Sequence, residues 1–291
     1  MQIGFIGYGE AAYEMSYGLH QEGLKKIVAY DPMWDDAQMK SLIEERANRA
    51  SVKLLPTIQE VVQHANILIV AVPADKAYGV SQTIAPYLNK GTLYIDVSAS
   101  TPDIKKMIAQ EIEQVESNFV DVAMMGSLPV HKHKVPILAS GKGTDEFIRL
   151  MSTYNMNIEK ASEVAGDASA TKLIRSIYMK GVSVLLIEML EAAHHFNVED
   201  IVTESIFETM SNKDFKEIMN RLVTGTSIHS KRRAVELQGT LDILDAANIN
   251  SAMTKAAKEK LDLITSHDLR DKFNGENPKS WQKVIEALKN V

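Results

Sequence analysis

Gln2-Ile3-Gly4-Phe5-Ile6-Gly7-Tyr8-Gly9-Glu10-Ala11-Ala12 is the stretch that decides the fold. An apolar run (Ile3, Phe5, Ile6) climbs directly into Gly7-Tyr8-Gly9-Glu10-Ala11-Ala12, which has the spacing G-x-G-x-x-A. Each small residue answers a geometric need. Gly7 permits a tight turn, Gly9 lets the backbone approach a pyrophosphate, and Ala12 lets a helix pack close to the strand. Ala11, Met15 and Leu19 then recur at helical spacing. The N-terminus of that helix would face two phosphates with unsatisfied N–H groups and the positive end of its dipole. Gly7, Tyr8, Gly9, Glu10, Ala11 and Ala12 are therefore expected to line a dinucleotide site.

Outward from this turn, short β-branched runs alternate with helical stretches up to about Lys160. Candidate strands are Gln2 to Ile6, Lys26 to Tyr30, Lys53 to Leu55, Ile67 to Val72, Thr92 to Val97, Phe119 to Ala123 and Pro136 to Ser140. Several are apolar on both faces, as buried parallel strands are. The expected fold is an α/β Rossmann domain, a doubly wound parallel sheet covered by helices.

The second strand ends at Asp31, 24 residues after Gly7, near the position of the acid that holds an adenosine ribose. A carboxylate there accepts hydrogen bonds from both ribose hydroxyls and repels a 2'-phosphate, and no Arg stands among residues 32–36. NAD is expected over NADP; the alternative role for Asp31 is to cap the next turn. Loops at the carboxyl ends of strands line the crevice of an open sheet, which brings in Val72-Pro73 after the fourth strand and Ser98 after the fifth. Ser98 and Ser100 are candidate polar contacts. Thr101-Pro102 has the form of an N-cap followed by proline at the first helical position.

The pattern changes at Glu163 to Asp167, which gives residues 1–163 to the sheet domain and 164–291 to a second, all-α domain. Ala168 to Phe196 shows helix formers and apolar residues at helical spacing, predicting one joining helix of about 40 Å. Breaks follow near Asn197, Asn212, Gly225, Asn248 and Gly275 to Pro278. An apolar face on this domain would bury well against a second copy, so a homodimer is expected.

Composition narrows the remaining classes. The 291 residues carry 45% hydrophobic and 24% charged side chains, enough for a sizeable core. The most apolar run, Ile67 to Pro73, is far shorter than the roughly 20 residues of a spanning helix. No basic leader precedes the first strand, and the chain has no cysteine, so disulfides and thiolate catalysis are excluded and a cytoplasmic location is expected. The net charge of −6 argues against nucleic acid or an anionic membrane as partner.

Candidate chemistry lies at the start of the joining helix. Ser169, Lys172, Ser176 and Lys180 follow at three- and four-residue steps and share one side of it. A half-buried lysine there would have its pKa lowered toward neutrality and could exchange a proton; a solvated surface lysine is the plain alternative. Gly126 and Ser127 follow the sixth strand, and His131-Lys132-His133-Lys134 is either a solvated loop or a basic lip for an anionic substrate. Two histidines at i, i+2 without an acidic partner give no metal site, and none is expected. His229 and Arg232 or Arg233 share a helical face, Arg233 and Glu236 are spaced to pair, and either arginine is a candidate clamp for a substrate anion.

The combination of Gly4 to Ala12, the Asp121 loop and Gly166 to Ser176 resembles the β-hydroxyacid dehydrogenase superfamily, which includes 6-phosphogluconate and 3-hydroxyisobutyrate dehydrogenases. Lys172 to Gly181 and Ile228 to Glu236 are similar to its branch of oxidoreductases with a phosphogluconate dehydrogenase-like C-terminal domain. The resemblance implies a Rossmann domain and an all-α domain joined by a long helix. It implies Lys172 as acid/base in transfer between NAD(P) and a small hydroxy or oxo acid, with Ser98, Ser127 and Ser176 orienting the oxygen. Lys180 is either an anion clamp or a structural lysine. C-terminal residues reach the substrate in relatives, which makes Arg232 or Arg233, with His229 on the same helical face, candidates for that role in their own subunit's site or across a dimer interface. Two residues depart from the family: Ser176 stands where asparagine is common, and Met125 where the loop carries serine, so the substrate is expected to differ from those of the better-known enzymes. An imine or other C=N reductase, or a dinucleotide-binding sensor, are the alternatives on this scaffold.

Overall fold

The structure, a computed structural model, describes residues 1–289; the last two residues of the expected second domain lie outside the described residues. The glycine turn follows β1 (Ile3–Ile6), all four residues of which are buried, and leads into α1 (Glu10–Gln21). Then come β2 (Ile27–Tyr30), α2 (Lys40–Ala50), β3 (Lys53–Leu54), α3 (Ile58–His64), β4 (Ile67–Val70), α4 (Ala77–Ile84), β5 (Leu93–Asp96) and α5 (Pro102–Gln114). The first region closes with β6 (Asn118–Met124), α6 (Leu128–His131), β7 (Ile137–Ser140), α7 (Thr144–Met151) and β8 (Ile158–Ser162).

The strands form one eight-stranded sheet in the order β3-β2-β1-β4-β5-β6-β7-β8. Ile3 registers with Ile27 on one side and Ile67 on the other, both parallel, so β1 is central and the chain winds outward in both directions from it. The crevice between β1 and β4 is the switch point at which open α/β sheets bind ligands. Side chains alternate between the faces: Phe5, Ile67, Ile95 and Val120 pack under α1 and α2, whereas Ile6, Leu68, Tyr94 and Phe119 pack with α3 and α5.

Two features differ from the expectation of a purely parallel seven-stranded sheet. β7 runs antiparallel to β6, because the short α6 turn reverses the chain without a crossover. β8 is an eighth, edge strand; its residues alternate between half-buried and exposed, with Glu159 outward, and it offers no apolar run to read.

The chain divides into two compact units, Met1 to Ser176 and the residues from Ile177 onward. α8 (Asp167–His195) is one continuous helix of 29 residues. The second unit continues with α9 (Glu199–Ser211), α10 (Phe215–Ala246), α11 (Ala252–Ser266), α12 (Leu269–Lys272) and α13 (Trp281–Lys289). The break expected at Gly225 does not occur. α10 runs through it; a Cβ at Gly225 would meet only the guanidinium tip of Arg233, 3.2 Å away on a flexible side chain. Asn197 and Asn248 do end helices, at φ 54° each. Glu188 of α8 caps α11, accepting the N–H of Met253 (2.7 Å) and Thr254 (2.9 Å). No helix among the described residues is long and apolar enough to cross a membrane.

Candidate active site

At the switch point Gly7 has φ +82°, and a Cβ there would lie 2.5 Å from the Ala71 carbonyl oxygen, so only glycine fits. Gly9 occupies the cap position of α1, no side chain caps that end, and a Cβ at Gly9 would meet nothing within 4 Å. The first N–H groups of α1 are therefore open to an anion. Glu10 is exposed and Ala11 half-buried beside them, while Ala12 is fully buried against the sheet. Tyr8 turns inward: its hydroxyl meets Ser16 Oγ at 2.8 Å, and burial pushes the phenol up to about 12. Its backbone N–H donates to Asp31 Oδ2 at 2.6 Å.

Asp31 has two duties already. Oδ1 accepts the N–H of Met33 at 2.8 Å, capping the 3-10 turn Pro32–Asp35, and Oδ2 takes Tyr8. A carboxylate has about four acceptor positions, so two remain for ribose hydroxyls. Val72 packs beside Gly7, and Pro73 is exposed on the same loop. The open approach at Gly9, the uncapped helix end and the half-used carboxylate fit a dinucleotide.

A second cluster lies along the adjoining strand ends. Asp96 of β5 and Asp121 of β6 are register partners, and Asp121 is in turn the partner of Ser140 on β7. Both aspartates are fully buried, and the ammonium of Lys105, itself 0% exposed on α5, bridges them at 3.2 Å and 3.1 Å. Lys105 also donates to the Asp96 carbonyl at 3.0 Å. Asp121 reaches forward to α8, accepting the N–H of Ser169 at 2.9 Å and its Oγ–H at 2.7 Å. The Ser140 hydroxyl accepts the N–H of Ala168 at 3.0 Å. The first turn of α8 is thus bolted to β6 and β7.

Lys172 stands one turn further along. It is half-buried, and no hydrogen-bond or ion-pair partner for its ammonium occurs among the described residues. Burial holds its pKa below the usual lysine range; the charge of Lys105 adds to that, and Asp121 opposes it.

The other candidates are placed as follows. Ser98 is buried, its N–H on Asp96 Oδ1 (2.7 Å) and its hydroxyl paired with Ser100 (2.8 Å). Gly126 and Ser127 are exposed after β6, Ser127 at the cap of α6. Ser176 is half-buried and donates to the Lys172 carbonyl at 3.0 Å, which leaves its oxygen able to accept. Lys180 is exposed in the second unit. His229 and Arg232 line a cavity of about 610 Å³ in that unit, with Lys231, Arg270 and Glu236.

Some local expectations need correction. Arg232, not Arg233, pairs with Glu236, at 3.1 Å and i,i+4, while Arg233 donates to Thr226. Thr101 holds the cap position before Pro102, but its side chain makes no capping bond. The basic string after α6 folds back on the end of α1. Lys134 pairs with Glu22 at 2.6 Å, Lys132 lies over the Tyr17 ring at 4.5 Å, and His133 is 3% exposed. From sequence, Asp96 stands only at the start of the loop after the fifth strand, and Lys105 is an ordinary helical lysine. The signal of their pairing was a lysine at a stripe position of an amphipathic helix (105, 108, 109, 112) and an acid closing an apolar strand.

An open, mostly parallel sheet with a glycine turn at its switch point and an acid ending the second strand defines a dinucleotide-binding domain of NAD(P) type. The chain belongs to the family described by the NAD binding domain of 6-phosphogluconate dehydrogenase, matched over residues 2–152, which sets it among NAD(P)-dependent dehydrogenases and reductases. Residues 193–264 match a domain of unknown function. A solved conserved protein of unknown function, described as structurally similar to 3-hydroxyacid dehydrogenases, is 31% identical. That match covers 95% of this chain and 100% of the other, with a TM-score of 0.63. Mitochondrial 3-hydroxyisobutyrate dehydrogenase of Homo sapiens is 25% identical over 203 residues, 67% of this chain and 56% of the human one. An imine reductase variant of Myxococcus stipitatus solved with NAD+ is 15% identical over 99% of both chains, with a TM-score of 0.73, a likeness of fold. The reductase of that organism has also been solved with NADP+.

Proposed function

We propose that this chain is an NAD-dependent dehydrogenase or reductase for a small anionic hydroxy or oxo acid, with Lys172 as its acid/base. The observation that carries this reading is Lys172 itself, half-buried, unpaired and held below the usual lysine range. A neutral amine there takes the proton of a substrate hydroxyl, and the ammonium returns it in the reverse direction. Ser98, Ser127 and Ser176 orient the reacting oxygen, with Gly126 on the same loop as Ser127 as a further candidate for substrate contact. Gly7, Gly9 and the first turn of α1 hold the pyrophosphate and Asp31 the adenosine ribose, favouring NAD. When bound, the nicotinamide supplies the redox chemistry.

The test is a panel of hydroxy acids, oxo acids, aldehydes and cyclic imines with each nicotinamide cofactor, followed by its absorbance. Lys172→Ala is expected to keep cofactor binding, read by NADH fluorescence, and to lose turnover by about 10²–10⁴. Near-normal turnover would sink the assignment. The likeness of fold to imine reductases supports a second reading, reduction of C=N, and turnover confined to the imines would select it. Cofactor binding with no turnover across the panel would indicate a dinucleotide sensor.

We further infer a homodimer. Ile177 is 75% exposed on α8, and Ile201 (73%) and Phe207 (63%) on α9, an apolar surface that a second copy would cover. Sedimentation equilibrium reads the mass directly.

A further inference from the structure

A lysine with no exposed surface, facing two buried carboxylates, is a costly arrangement that similar-sized apolar side chains often replace without loss of stability. Here the charges do not balance. One ammonium answers two carboxylates, and Asp96 Oδ2 has no hydrogen-bond partner among the described residues. The second ammonium is that of Lys172, on which the charges of both Lys105 and Asp121 act. Lys105 is gripped by three oxygens at 3.0–3.2 Å, whereas Lys172 has no partner among the described residues. Of the two lysines, Lys172 is the one free to exchange its proton.

We propose that Lys105 is a positioning residue for the reaction. Its buried ammonium ties β5 to β6 and, through Asp121 and Ser169, sets both the place and the electrostatic surroundings of the turn that carries Lys172. This rests on Lys172 being the acid/base. The groups facing that turn are Lys105 from α5 and Asp121 from β6, with Asp96 and the buried Tyr94 phenol of β5 behind them. The two charges that act on Lys172 oppose each other, Lys105 disfavouring its ammonium and Asp121 favouring it. Without Lys105, Asp121 acts on Lys172 uncompensated. Removing the Lys105 charge therefore makes Lys172 hold its proton to higher pH.

The experiment reads Lys172 without any substrate, by the pH dependence of its trace acetylation with acetic anhydride in the purified chain, resolved by peptide mass spectrometry. Lys105→Met is expected to move the midpoint of Lys172 reactivity upward by about one pH unit, and Lys105→Arg to leave it within a few tenths. A purely structural lysine would change stability and leave that midpoint in place. Should Lys105→Met not fold, because it strands two buried carboxylates, the double variant Lys105→Met/Asp96→Asn removes one charge of each sign. Asp96 is not among the charges acting on Lys172, so the same direction of shift is expected. An unchanged midpoint in the folded variant overturns the proposal. A shifted midpoint together with an active Lys172→Ala enzyme overturns the catalytic role of Lys172 and leaves the coupling of the two lysines standing.

Discussion

Asp121 on β6 accepts both the backbone N–H and the hydroxyl of Ser169, at 2.9 Å and 2.7 Å, three residues before Lys172 on the same helix. The carboxylate satisfies one orphan N–H at the positive end of a 29-residue helix and meets Lys105 as well. Asp121→Ala strips an acceptor from the helix and a partner from a buried ammonium. A loss of about 3–5 kcal/mol is expected in denaturant unfolding. Ser169→Ala removes one hydrogen bond and leaves the charges paired, so about 1–2 kcal/mol is expected. Equal, small losses for both would mean that the first turn of α8 is held by packing alone.

Gly7 and Gly9 look alike in the sequence and have different physical reasons for being glycine. Gly7→Ala meets the Ala71 carbonyl at a positive φ, and about 1–3 kcal/mol of strain should lower the melting temperature by several degrees. At Gly9 an added methyl group meets open space, so Gly9→Ala should melt near the wild-type temperature. Its effect is expected on NADH affinity, about tenfold or more weaker by fluorescence titration. Unchanged affinity in Gly9→Ala would remove this turn from the cofactor site.

The glycine turn was legible because a close approach and a positive φ leave little choice of residue at Gly7. The central strands were legible because burial on both faces demands apolar runs. β8 was not, since an edge strand with Glu159 facing water has no such run. Gly225 misled because one glycine inside a helix costs only about 1 kcal/mol, too little to break the 32-residue α10. The Lys105 cluster was hidden in another way. Lys105 alone is an ordinary helical lysine, and Asp96 and Asp121 are ordinary strand acids; only the β5–β6 register sets the two acids side by side under that lysine.

Asp31 joins the glycine turn to the end of β2 and is also the candidate ribose acceptor, so its replacement has two separable effects. Asp31→Ser leaves the N–H groups of Tyr8 and Met33 with a weaker acceptor, costing about 1 kcal/mol in unfolding experiments. It also removes the charge that would repel a 2'-phosphate. The ratio of NADH to NADPH affinity is expected to fall by about tenfold, measured by titration of each cofactor. A lost preference with no loss of stability, or the reverse, would show that the two duties of this carboxylate are independent.

Lys172 also makes a prediction about stability that needs no substrate. Its pKa is held down in the folded chain, first by burial and then by the Lys105 charge, so the unfolded chain binds its proton more tightly. Below the folded pKa the ammonium is present in both states, and folding bears the cost of burying it. As pH rises through the folded pKa toward the ordinary lysine value, the folded chain loses the proton first, the cost is relieved, and stability increases. Lys172→Met keeps the length of the side chain and never carries the charge. It should therefore melt above the wild-type protein at neutral pH, with the gap closing as pH rises into the lysine range. Thermal unfolding of both proteins at pH 7 and in alkaline buffer reads this directly. If Lys172→Met melts below the wild type at neutral pH, the ammonium is stabilised where it stands, and a lysine of that kind is a structural ion, unsuited to exchange a proton with a substrate.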